Sequence, residues 1–173
     1  SFTLEQVKET KALAWGMVRH VDDCIGRVMK YLEESGKKEN TVVIFLADHG
    51  ELMGDHGMYC KGPFHYDGLL HVPMIMAWPG HLSRNVRSKG LVSILDLMPT
   101  ILDLAQISYP YGSVKPWEGP FEGKPLYEKD PLPGKSLVPL MTGKAWKIQD
   151  SILVEDDDDI RKVNLRTLIT EDY

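Results

Sequence analysis

The sequence has few cysteines, no long apolar run and no excess of basic residues. Its two cysteines, Cys24 and Cys60, are too few for a disulfide scaffold and do not fix the redox compartment. No apolar run approaches the roughly 18 residues of a membrane span. With 20 Lys and Arg against 25 Asp and Glu, the chain lacks the basic face that nucleic-acid binding normally needs. We therefore expect no membrane and no nucleic acid among its partners.

A targeting signal is also absent at the first residues. Because Ser1 is not an initiator Met, this absence leaves the cellular compartment open. The chain nevertheless has what a folded core needs, since 43% of its 173 residues are hydrophobic and 26% are charged. Its length suits one ordinary domain.

The first half of the chain has the pattern of an α/β protein. Thr3 and Gln6 have the spacing of a capping box, and Gly36 is a plausible end of the helix that follows them. Between them, apolar residues recur every three or four positions and predict one apolar helix face. Residues 41–46 and 72–78 are short apolar runs that predict strands, the first buried on both faces and therefore parallel to its neighbours.

The second half predicts one more helix and a long irregular segment. Residues 93–107 predict a helix in which Asp96 caps the first turn and Pro99 lies inside it. Residues 110–135 contain many prolines and glycines, which indicates a surface loop or insertion.

The last residues predict one helical turn followed by two strands. The turn falls at 136–141, and the strands fall at 151–154 and 165–170. The acidic run 155–159 between the strands predicts a solvated turn, because it lacks the alternating ligands and the glycine of an EF-hand.

The residues able to do chemistry are concentrated in 47–73, directly after the first predicted strand. This segment holds four of the six histidines, and Asp48 and His49 stand at its start. Ligands in open α/β sheets bind at the carboxyl ends of strands, where these two residues lie. An adjacent carboxylate and imidazole serve as metal ligands, as an acid/base pair, or as a hydrogen-bonded turn. The sequence pattern leaves these three interpretations open.

Two neighbours extend the chemistry of this segment. Lys61 supplies an ammonium group that would neutralise an anionic substrate or a departing charge. Cys60 beside it is either a thiolate nucleophile or, as we favour, a small packing residue. A zinc site is a competing interpretation, but no spacing here matches a known zinc pattern, and the carboxylates favour a harder cation.

The order of several motifs resembles the sulfatase family of the alkaline phosphatase superfamily. The resemblance is carried by VDDCIGRVMKYLEESG, ENTVVIFLADHGELMGDHG and KGPFHYDGLLHVPMIMAWPG, and then by ILDLMPTILDLAQI, PLPGKSLVPLMTG and VNLRTLITEDY. It implies a mixed α/β sheet flanked by helices, present here only in part. Residues 1–109 would be the C-terminal part of the catalytic core, 110–135 a surface loop or insertion, and 136–173 the terminal helix turn and strands of the same fold.

The resemblance also implies roles for single residues. Asp48 and His49 would supply two ligands to one calcium ion, and Lys61 would contact the sulfate group. His56, His65 and His71 either shape the substrate side or brace the glycine-rich loop, and the sequence does not decide between these interpretations.

The resemblance implies a nucleophile that these 173 residues do not contain. In sulfatases a formylglycine arises from the cysteine of a C-x-P-S-R motif, whereas Cys24 precedes IGRV and Cys60 precedes KGPF. We therefore expect the N-terminal half of the same protein as a partner, and no turnover by the chain alone.

The expected function is hydrolysis of a sulfate ester, either a small molecule or a sulfated glycan. Two alternatives stay open. One is a phosphonate monoester hydrolase or phosphodiesterase of the same superfamily, and the other is a non-catalytic relative that binds a metal or a sulfated glycan.

Overall fold

A computed structural model describes residues 3–107, 132–158 and 162–171, which contain both helices and strands. The helices are α1 (Leu4–Glu34), α2 (Asp67–Leu70), α3 (Leu97–Leu104) and α4 (Val138–Met141). The strands are β1 (Val43–Leu46), β2 (Met74–Ala77), β3 (Ser151–Asp158) and β4 (Val163–Thr170). Single 3-10 turns lie at Lys38–Asn40, Asp55–Gly57 and Ile94–Asp96. The contacts form two compact units, one of Ser1–Leu82 with Val154–Thr167 and the other of Ser83–Leu153 with Leu168–Tyr173.

Helix α1 begins and ends where the sequence predicts. The Gln6 backbone N–H donates to the Thr3 hydroxyl at 3.3 Å, and the Thr3 N–H donates to the Gln6 side chain at 2.9 Å, which completes a capping box. At the other end Gly36 has a φ of +67°, and the Lys37 N–H donates to the carbonyl of Leu32. Glycine adopts this left-handed conformation without a steric penalty, so the helix stops there.

The apolar face of α1 has the predicted spacing but is mostly exposed. Ala14 is the buried residue of this helix, whereas Met17 and Val28 are each 65% exposed. A groove of about 340 Å³ lies between α1 and β1, and its lining includes Ile25 and Ile44. Much of this face is therefore uncovered within the described part of the chain.

Strands β1 and β2 pair antiparallel, so the prediction of a parallel strand buried on both faces is wrong. Ile44 lies opposite Met76, and Phe45 lies opposite Ile75. The connection between the strands contains only one turn of α-helix, whereas parallel strands are usually joined by a full crossover helix. Phe45 and Ile75 are also exposed, so one face of this pair is open to solvent.

The second helical segment is capped by Ser93 and not by Asp96 as predicted. The Ser93 hydroxyl accepts from the Leu95 N–H at the start of the 3-10 turn that leads into α3. The Asp96 carboxylate instead is buried and accepts from the backbone N–H groups of Ser93 and Lys135 and from the side chain of Gln149. Asp96 does occupy the N-cap position of α3, but its carboxylate makes no capping bond to that helix and instead completes the capping box of the 3-10 turn with Ser93. A buried carboxylate needs these donors.

The acidic run extends strand β3, so the prediction of a turn there is wrong for residues 155–158. Arg166 of β4 explains the difference, because its guanidinium forms two hydrogen bonds to Asp157 at 2.8 and 2.9 Å. Its Nε also lies 2.6 Å from the Glu155 carboxylate. The opposite charge on the neighbouring strand compensates the negative run. Strands β3 and β4 form a two-stranded sheet.

Two predictions concern the long segment and the membrane. Most of the predicted loop 110–135 lies outside the described residues, whose gap runs from 108 to 131. Among the helices that the structure describes, none combines the length and apolar character of a membrane span.

Candidate active site

The segment after β1 is held in place on both sides of Asp48 and His49. On one side the Ala47 N–H donates to the Pro73 carbonyl at 3.3 Å, and on the other the Gly50 N–H donates to the Leu69 carbonyl at 2.8 Å. A side chain at position 50 would overlap the backbone of α2, so only glycine permits this approach. The two candidate ligands therefore stand between two fixed points.

Asp48 presents its carboxylate to solvent. Its side chain is 88% exposed, and Oδ1 accepts a hydrogen bond from the His49 backbone N–H at 3.0 Å. That hydrogen bond is the largest of the causes that lower the pKa of Asp48 below its usual value of 3.8. The carboxylate is therefore ionised at neutral pH and available to a cation.

The hydrogen bonds of His49 define which ring nitrogen carries the proton. Nδ1 lies 2.8 Å from the Gly50 carbonyl oxygen, which only accepts, so Nδ1 must donate. Nε2 lies 2.9 Å from the Lys61 ammonium, which only donates, so Nε2 must accept. We therefore assign the neutral tautomer with hydrogen on Nδ1 and a lone pair on Nε2.

The three predicted residues come together at one point. The Asp48 Oδ2 atom lies 3.7 Å from His49 Nε2, and Lys61 arrives at the same nitrogen from twelve residues further along the chain. In the assigned tautomer, Oδ2 and Nε2 are both electron-pair donors with no hydrogen between them. Such a pair is stabilised by a positive charge, which the Lys61 ammonium supplies at His49.

The donor set fits two ligands of one divalent cation. Protein ligands lie about 2.0–2.6 Å from bound zinc or calcium, so two ligands of one ion are typically about 3–4.5 Å apart. The separation of 3.7 Å between Oδ2 and Nε2 falls within that range. Within the described ranges, no group of three or more His, Cys, Asp or Glu side chains is placed to hold a metal. Asp48 and His49 therefore fit as part of a metal site.

The other histidines of the segment make contacts elsewhere. His56 stacks on Tyr66 with ring centroids 4.1 Å apart, and His65 Nδ1 lies 2.7 Å from the Thr167 hydroxyl of β4. His71 lies 3.6 Å from the Asp67 carboxylate at the exposed end of α2. The contacts of His56 and His65 support the interpretation that they brace the loop.

Cys60 is exposed, so the favoured prediction of a packing residue is wrong. Its φ of +64° shows that the backbone turns sharply there, which directs the residue to the surface immediately before Lys61. Cys24 is also free and half-buried.

Two groups at this site were not identified from the sequence. The Gly50 carbonyl fixes the His49 ring, but a backbone oxygen has no sequence signature. The Thr167 hydroxyl contacts His65, which lies 102 residues earlier in the chain, and no local sequence pattern reveals such a contact.

Comparison with known proteins identifies the family. A sulfatase family model matches residues 5–107. The chain is 41% identical over 107 residues to an arylsulfatase of Clostridium perfringens, an alignment that covers 60% of this chain and 22% of that protein. The chain spans about a quarter of the length of the curated relatives it matches.

Solved structures show the same fold. The phosphonate monoester hydrolase of Agrobacterium radiobacter matches with a TM-score of 0.74 and 30% identity, over 94% of this chain and 29% of that chain. A 2-O GAG sulfatase matches with a TM-score of 0.79 and 26% identity, over 98% of this chain and 34% of that chain. The α/β class and the likeness to the alkaline phosphatase fold are thereby confirmed. The chain belongs to the sulfatase family.

Proposed function

We propose that this chain forms part of a sulfuric ester hydrolase and contributes Asp48, His49 and Lys61 to its active site. The observation that carries the proposal is the meeting of a carboxylate, an imidazole lone pair and an ammonium group after β1. Two of these groups suit a cation and the third suits an anion, which is the combination that a sulfate ester needs.

Asp48 and His49 would hold one divalent cation, for which we propose calcium. Asp48 offers an exposed, ionised carboxylate oxygen, which is the type of ligand that a hard cation such as calcium prefers. When bound, this ion would supply positive charge to the oxygens of the sulfate group. The Gly50 carbonyl keeps the His49 lone pair directed outward, which is the usual arrangement behind a histidine ligand.

Lys61 would bind the sulfate group and stabilise the departing oxygen. An ammonium group has three hydrogens, and without a cation one of them contacts the His49 lone pair. A cation bound to that lone pair would release this hydrogen as well. The ammonium hydrogens are then available to anionic oxygens on the exposed side of the loop. Negative charge develops on the leaving oxygen as the ester bond breaks, so a fixed ammonium lowers the energy of that state more than of the bound ester.

The nucleophile, which we propose is a formylglycine, lies outside these 173 residues. Neither cysteine has the sequence context from which a formylglycine is made. The chain alone is therefore expected not to hydrolyse an aryl sulfate. Turnover by the purified chain would contradict the proposal that the nucleophile lies outside it.

For the substrate we propose a sulfate ester, carried by a small molecule or by a sulfated glycan. The arylsulfatase relative supports the first and the 2-O GAG sulfatase structure supports the second. The rest of the same protein would complete the binding site.

A second candidate function is phosphonate monoester or phosphodiester hydrolysis. It is favoured by the likeness to a phosphonate monoester hydrolase, which covers nearly the whole of this chain. A non-catalytic relative that binds a metal or a sulfated glycan is a third candidate, and it predicts ligand binding without turnover.

One experiment separates the three candidates. The full-length protein is treated with a chelator, reloaded with calcium and assayed on an aryl sulfate and on the matching aryl phosphonate monoester. We expect calcium-dependent hydrolysis with the higher kcat/KM on the sulfate. A higher kcat/KM on the phosphonate would favour the second candidate, and calcium binding without hydrolysis of either ester would favour the third.

A further inference from the structure

We propose that His65 and Thr167 are positioning residues that hold Lys61 at the active site. Lys61 lies in a loop of residues 58–66, called the Lys61 loop, and Thr167 lies on β4. This proposal rests on the proposed function, because it assumes that Lys61 binds the anion.

The Lys61 loop has little backbone support of its own. Between residues 60 and 65 the described backbone hydrogen bonds comprise one short contact, from the Phe64 N–H to the Gly62 carbonyl at 2.7 Å. The loop is bounded by the 3-10 turn at Asp55–Gly57 and by α2. A segment with so few backbone bonds relies on side-chain contacts for its position.

Two side-chain hydrogen bonds tie this loop to other elements. One joins Lys61 to His49, and the other joins His65 Nδ1 to the Thr167 hydroxyl at 2.7 Å. The second bond is half-buried and joins two residues that are 102 positions apart in sequence. A hydroxyl both donates and accepts, so this bond forms whichever nitrogen of His65 carries the proton.

The residues between His65 and Lys61 are able to transmit a fixed position. Pro63 has a restricted φ, and the Phe64 ring packs so closely on Gly62 that an added Cβ would lie 2.7 Å from the ring. A loop that is stiff over these residues moves as one piece. Releasing His65 from β4 would therefore shift the ammonium of Lys61 relative to His49.

Strand β4 does not itself require a hydroxyl group at position 167. Valine has the same shape and favours β-strands at least as well, so the hydroxyl is explained by its bond to His65. This provides a matched pair of variants, Thr167→Val without the hydroxyl and Thr167→Ser with it.

The test measures binding of inorganic sulfate to the calcium-loaded, full-length protein by calorimetry. We expect Thr167→Val to weaken binding about three- to tenfold, the usual effect of one lost hydrogen bond, and Thr167→Ser to bind like the wild type. In a Lys61→Met background, Thr167→Val should have no further effect, because the group that it positions is gone. Equal effects of Thr167→Val in both backgrounds, or no effect in either, would overturn the proposal.

A second measurement keeps the proposal testable if the wild type neither binds sulfate nor hydrolyses an ester. The ¹⁵N resonance of His49 Nε2 reports the contact with Lys61 directly, without calcium or substrate. Thr167→Val should shift this resonance and Thr167→Ser should not. An unchanged resonance in Thr167→Val would refute the positioning role, whereas a shift would uphold it and leave only the proposed function refuted.

Discussion

At the scale of single residues, the site depends on how the protein holds one imidazole ring. The Gly50 carbonyl takes the Nδ1 hydrogen of His49, so the Nε2 lone pair points toward Asp48 and Lys61. The sequence singled out as candidates the three residues that meet here, because an Asp-His pair after a predicted strand and a nearby lysine are local signals. It could not reveal the tautomer, since that depends on distances within a folded loop.

The first prediction concerns calcium binding by Asp48. Asp48→Asn keeps the size of the side chain but removes the charge, so the variant should lose the rise in Tm that calcium gives the full-length protein. At a calcium concentration of 100 times Kd, binding would stabilise the wild type by about 2.7 kcal/mol. The measurement is differential scanning fluorimetry with and without calcium.

Asp67→Asn is the matched control, because this exposed carboxylate of α2 pairs with His71 and not with the candidate metal ligands. It should retain the full calcium effect. If Asp48→Asn retained the effect equally, the assignment of Asp48 to the metal would be wrong.

At the scale of elements, local signals in the sequence predicted where helices and strands lie but not how the strands pair. The capping box and Gly36 correctly placed the ends of α1, because those contacts lie within a few residues of one another. The apolar runs placed β1 and β2, but a short run has the same pattern in a parallel and an antiparallel sheet. Their direction is set by the connection between them, whose path the sequence does not show.

The second prediction concerns the acidic part of β3. The hydrogen bonds from Arg166 lower the pKa of Asp157 below 3.8. A lowered pKa means that the carboxylate stabilises the folded state at pH values above its unfolded pKa. That contribution is lost as the pH falls through the folded pKa. Asp157→Asn should therefore weaken the β3–β4 sheet at pH 7 and have little effect below the folded pKa.

Hydrogen exchange with mass spectrometry on the full-length protein checks this prediction. Peptides covering β3 and β4 should be less protected in Asp157→Asn than in the wild type at pH 7 and should match it at the lowest pH where the fold persists. Asp156→Asn is the control, since neighbouring residues of a strand face opposite sides. Equal protection in Asp157→Asn and the wild type at pH 7 would show that the ion pair does not support the sheet.

At the scale of the whole molecule, the chain carries more apolar surface than its described residues cover. Met17, Val21 and Val28 on α1 and Ile75 on β2 are each more than half exposed. The sequence correctly predicted the apolar face of α1, because spacing along a helix is a local property. It could not predict what covers that face, and the alignment with the arylsulfatase relative covers only 22% of that protein.

The third prediction concerns this surface. The isolated chain should self-associate in a concentration-dependent manner, because large exposed apolar patches favour association. The double variant Val21→Lys with Val28→Lys should reduce the association by placing charge on the face. Lys8→Arg with Lys30→Arg, which preserves the charge of α1, is the control. Size-exclusion chromatography with light scattering provides the measurement, and a monomer at all concentrations would contradict the expectation.

The most direct test of the proposed function is the effect of Lys61→Met on kcat/KM for an aryl sulfate in the calcium-loaded, full-length protein. Methionine keeps much of the side-chain length and removes the ammonium group, and Lys144→Met at an exposed position is the matched control. We predict that kcat/KM falls about 100- to 1,000-fold in Lys61→Met, the usual cost of losing one charge-stabilising group, and stays unchanged in the control. A Lys61→Met enzyme within threefold of the wild type would contradict the proposal that this lysine acts on the sulfate group.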